Sequence, residues 1–162
     1  AVLTIAMGAA VAVAAVIIAC TPLLFIWKDR IIAGMSRRAG TPLDSDIIYA
    51  MHGAQLLIAL TAVLIFLFIR HLRRIVDTVA DGDPFIPENA VRLRTMGWIA
   101  VTVQLIALPA GALAGWISYK SHVQYVDIGV SLGGIVLALI LFVLARVFGK
   151  GAEMRDELEG TV

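Results

Sequence analysis

Four long apolar runs, separated by short charged stretches, set the pattern of this chain. They cover residues 2–27, 47–70, 95–119 and 126–148. A helix needs about 20 predominantly apolar residues to cross a hydrocarbon core, and each run is of that order. The pattern predicts an all-α polytopic membrane protein, with four transmembrane helices in two hairpins. A cytoplasmic loop, 71–94, joins the hairpins, and a short tail, 149–162, follows the last span. One four-span membrane domain, 1–162, accounts for the whole sequence.

The breaks between runs carry their own signals. After Trp27, the residues Ile31, Ile32 and Met35 continue a helical period on an amphipathic segment that Gly40 and Pro42 end. Asp44 or Ser45 is placed to cap the next helix. That helix does not stop at the basic group Arg70–Arg74, because Leu72, Ile75, Val76 and Val79 keep its period through Ala80. Gly82 and Pro84 stop it. Pro87 suits the first turn of a new helix and Glu88 its positive end. Pro109 predicts a kink in the third span. Gln104, near mid-depth, needs a partner on another helix.

Composition sharpens the class. Hydrophobic residues make up 60% of the 162, above the roughly one half of soluble domains. The first run is too long for the apolar part of a signal peptide and reads as a retained span. A net charge of +1 gives no sign of direct nucleic-acid binding. Cys20 is alone, so no intramolecular disulfide forms, and within a span it reads as a small hydrophobe. Arg70, Arg73, Arg74, Arg92, Arg94, Arg146, Lys150 and Arg155 gather on one side of the four-span topology; Lys28, Arg30, Arg37, Arg38 and Lys120 lie on the other. The richer side is expected in the cytoplasm, with both termini.

Candidate chemistry is sparse. No phosphate-binding glycine loop, metal-binding histidine pair on one helix or nucleophile elbow occurs, so neither an enzyme nor a cofactor is expected. His52 and His122, with Asp46 and Asp127, fall at the extracytoplasmic ends of spans, but their spacing matches no metal motif. Tyr49, His52 and Gln55, three apart, share a helical face and are expected to border an extracytoplasmic pocket with Trp116, Tyr119 and His122. Gly111 with Gly115 and Gly129 with Gly133 suit close packing, within the chain first and in a homodimer second. No charge lies deep in a span, which weighs against an ion-coupled carrier.

Two stretches carry a family resemblance. Gly82-Asp-Pro-Phe-Ile-Pro-Glu-Asn89, then Arg92-Leu93-Arg94 and Gly97, resembles the signature of the bacterial membrane family known as domain of unknown function 2975. The end of the chain is similar too, at Phe148, Gly151, Ala152, Glu157, Thr161 and Val162, with Met154 where a leucine is expected. Within the loop part of the motif, Pro84, Phe85, Asn89, Arg92, Leu93 and Arg94 are the matching positions. The resemblance implies an inner-membrane protein accompanied by a small cytoplasmic helix-turn-helix regulator. The function it implies is that of a regulatory or sensory partner; a small-molecule transporter or channel, or a structural subunit of a larger membrane complex, is the alternative. Phe85 is expected to tuck under the spans, Asn89 to bond turn or tail backbone, and Arg92 or Arg94 to pair with Glu157.

Overall fold

The computed structural model describes residues 2–40, 42–122 and 128–159. It contains five helices among them: α1 (Val2–Ile26), α2 (Lys28–Ala39), α3 (Asp46–Ala80), α4 (Pro87–Ser121) and α5 (Leu132–Glu159). No strand occurs among the described residues. All but α2 are long and apolar enough to cross a membrane. Their exposed side chains include Leu56, Leu105, Leu139, Ile140 and Val143, a surface suited to lipid rather than water.

Local chemistry places the breaks. Trp27, at φ −102° and ψ 11°, interrupts the path from α1 to α2, although Ile31 N–H still reaches its carbonyl at 3.0 Å. Gly40 ends α2 in the left-handed region at φ 69°, its N–H donating to Ser36 O. α3 runs through Arg70–Arg74 as its period predicts, and at 35 residues it is about 52 Å long. Its end is a Schellman turn: Gly82, at φ 88°, donates to Val79 O and Asp83 N–H donates to Thr78 O, each at 3.1 Å.

α5 departs from the expected fourth span at both ends. The apolar run begins at 126, yet the described residues 128–131 are not helical and α5 starts at Leu132. Two adjacent glycines, Gly133 and Gly134, are weak helix formers, and the Ser131 N–H donates to Gln104 Oε1 at 2.8 Å. A side chain of α4 thus satisfies a backbone group where α5 starts. At the other end the segment expected as a tail is helix as far as Glu159.

The chain divides into two compact units, whose boundaries fall inside α1, α3 and α4. One comprises Ala1–Met7, Leu64–Gln104 and Ser131–Val162; the other comprises Gly8–Val63 and Leu105–Val130. The first unit is built on Ile75, Leu93, Met96, Ala100, Ala138, Leu141 and Ala145, with Phe68, Leu72, Val101, Phe142 and Phe148 packed around them. Small residues bring α4 and α5 close: a Cβ on Gly97 would lie 2.9 Å from the Phe142 ring. A Cβ on Gly134 would overlap the Gln104 amide, so a side chain there would require Gln104 to move. The second unit buries Ile47, Ile48, Ala62 and Ala110, and its Gly53 faces Leu113.

Candidate functional site

Asn89 organises the turn between α3 and α4. It is 0% exposed, and as the third residue of α4 it lies beneath the preceding loop. Its Nδ2 donates to Thr78 Oγ1 at 2.8 Å and to Pro84 O at 2.9 Å, while its Oδ1 accepts from Arg92 at 2.8 Å. Thr78 Oγ1 in turn donates to Ile75 O at 2.7 Å. The same Arg92 nitrogen lies 3.4 Å from Arg74 O. One amide therefore fastens the last turn of α3, the loop and the first turn of α4. Three polar contacts offset the cost of burying its side chain.

The loop is also fastened to α5. The Phe85 ring packs on Phe148 with centroids 5.2 Å apart. It rests on Gly151 as well, where a Cβ would stand 2.6 Å from the ring. Asp83 and Arg155 form an ion pair that bridges loop and helix. The loop residues Gly82, Pro84, Phe85, Asn89 and Arg92 thus join Phe148 and Gly151 in one assembly, with Leu93 buried in the core beneath. Phe85 remains 43% exposed, so it lies across the helix rather than wholly under the spans. Arg92 is engaged by Asn89 and the α3 backbone, and Arg94 lines a groove beside Arg146. Glu157 is exposed on the last turns of α5. Thr161 and Val162 lie outside the described residues. The Asp83–Arg155 pair is not legible in the sequence, where its only signal is an acid inside the loop and a base inside the tail.

The second unit holds the other candidates. His52 Nδ1 lies 2.8 Å from Ile48 O, a carbonyl that can only accept, so Nδ1 is assigned as the donor. Gln55 Nε2 donates to Ile17 O of α1 at 2.6 Å. His52 Nε2 and Gln55 Oε1 are enclosed with no hydrogen-bond partner among the described residues. Phe25 meets the His52 ring edge-on, with centroids 6.2 Å apart. Tyr49 and Tyr119 are exposed, and so is His122, which has a positive φ of 52°. Trp116 lines a separate cleft of about 230 Å³ with Leu43, Asp44, Asp46, Ile47 and Lys120. His52 and Gln55 are therefore brought against α1, while Trp116 belongs to a cleft at the start of α3. Among the described residues no group of three or more metal-ligating side chains is gathered; Asp127 lies outside them.

Long apolar helices and an almost wholly helical chain define a multi-pass α-helical membrane protein. The chain belongs to the family described as "Protein of unknown function (DUF2975)", whose model matches residues 1–162. No curated protein and no solved structure matches it.

Proposed function

We propose that this protein is a regulatory partner, embedded in the bacterial inner membrane, that captures a small cytoplasmic helix-turn-helix regulator at the joined loop and α5 extension. The supporting observation is the assembly just described. Phe85 on Gly151 and the Asp83–Arg155 pair hold the loop against α5, which then continues as helix to Glu159. Its last turns expose Glu153, Asp156 and Glu157. An acidic helix end suits a partner with a basic surface, and DNA-binding domains carry one. In this reading the side with eight basic residues is cytoplasmic, and the extracytoplasmic half of the spans does the sensing.

Co-purification tests the reading. Expressed with a small helix-turn-helix regulator from a neighbouring gene, the tagged full chain is expected to retain it at low salt and less of it at moderate salt. Changing Glu153, Asp156, Glu157 and Glu159 to their amides weakens retention while membrane assembly stays intact. Undiminished retention by that variant at both salts refutes the acidic surface, and a regulator that never co-purifies with the unaltered chain refutes the partnership.

A further inference from the structure

We infer that the groove between the start of α4 and the end of α5 is a binding site for the phosphodiester headgroup of an anionic phospholipid. Arg94, Arg146 and Lys150 line this open groove, which has a volume of about 480 Å³. Glu153 is its one carboxylate, bonded to Lys150 at 3.0 Å. Among the described residues no carboxylate pairs with Arg94 or Arg146. Two guanidinium groups thus stand in one groove with no carboxylate paired to either, Glu153 being taken by Lys150, and their planar forks suit phosphate oxygens.

The rest of the lining explains why a lipid fits better than a free anion. Ala90, Val91 and Ala145 make an apolar wall, and Val91 is 65% exposed. At the floor the two helices approach closely, since a Cβ on Gly149 would lie 3.7 Å from Ala90 Cβ. The groove sits where the apolar faces of α4 and α5 give way to charge, the level at which headgroups meet a membrane protein. A phosphate held there would leave its acyl chains free to run along the exposed apolar helices. This site lies apart from the Phe85–Arg155 assembly; it shares Glu153 with the proposed regulator surface, but its test reads lipid and not the regulator.

The test uses the full chain purified in non-ionic detergent, with native mass spectrometry counting retained lipid. Phosphatidylglycerol is expected to be retained about thirtyfold more tightly than phosphatidylcholine, from two guanidinium cations near the surface. Arg94→Gln and Arg146→Gln should each cost about fivefold in that preference. Arg37→Gln with Arg38→Gln, on α2, should cost nothing. Glu153→Gln, which removes the groove's own anion, should strengthen retention, a gain that misfolding does not produce. Equal retention of the two lipids, or an unchanged preference in the Arg94→Gln/Arg146→Gln protein, overturns the site. Displacement of phosphatidylglycerol by millimolar inorganic phosphate overturns the lipid assignment in favour of a free anion.

Discussion

Asn89 shows how much one buried amide can hold. Its donors go to Thr78 Oγ1 and Pro84 O, and its acceptor goes to Arg92. Asn89→Ala leaves these groups short of partners. Each buried polar group so stranded costs about 1–3 kcal/mol, and Arg92 can turn to water, so the expected loss is about 2–4 kcal/mol. Asn89→Asp has the same shape and is expected to do little better. It keeps the Arg92 contact but sets a carboxylate against the Pro84 carbonyl, with no hydrogen to donate. Thermal unfolding of both variants in detergent checks this; an aspartate variant as stable as the unaltered chain would show that the donors of Asn89 are not what holds the turn.

Among the elements, α5 packs through glycine. Gly151 admits the Phe85 ring, whereas Gly149 faces Ala90 Cβ at an ordinary contact distance. Gly151→Ala should therefore destabilise by about 1–2 kcal/mol, because the ring must leave its position on Phe148. Gly149→Ala should fall within about 0.5 kcal/mol of neutral, its helix propensity offsetting a mild contact. Phe85→Ala should cost stability alone yet make Gly151→Ala harmless in its presence. That non-additivity, measured as a double-mutant cycle of unfolding midpoints, is the signature of direct contact. Additive losses would mean the two residues act separately. The start of α5 makes the same point in polar terms, since Gln104 reaches Ser131 N–H across the interface between α4 and α5.

For the whole molecule the outstanding question is direction in the membrane. Eight basic residues against five predict that Arg94 and the C-terminal helix end face the cytoplasm, with Arg37 and His122 outside. In a Cys20→Ala background, single cysteines at these positions are expected to react with an impermeant maleimide in intact cells only at 37 and 122. Outside labelling at position 94 would reverse the orientation and remove the proposed regulator from reach.

The class and most of the helix limits were legible in the sequence. Apolar run length dictates spanning helices because a bilayer offers backbone groups no other partner. Gly40, Gly82 and Pro87 mark ends because their backbone geometry is local. The sequence also showed two motif stretches, but not how they meet. Only tertiary structure decided that Asp83 reaches Arg155 and that Phe85 lies on Gly151, since both contacts join residues far apart in the chain. The late start of α5 was equally hidden. An apolar run reads the same whether or not its first residues are helical, and what meets the Ser131 N–H at the start of α5 is a side chain of α4. His52 and Gln55 followed the same rule: helical spacing put them on one face, and packing against Ile17 and Phe25 chose their neighbours.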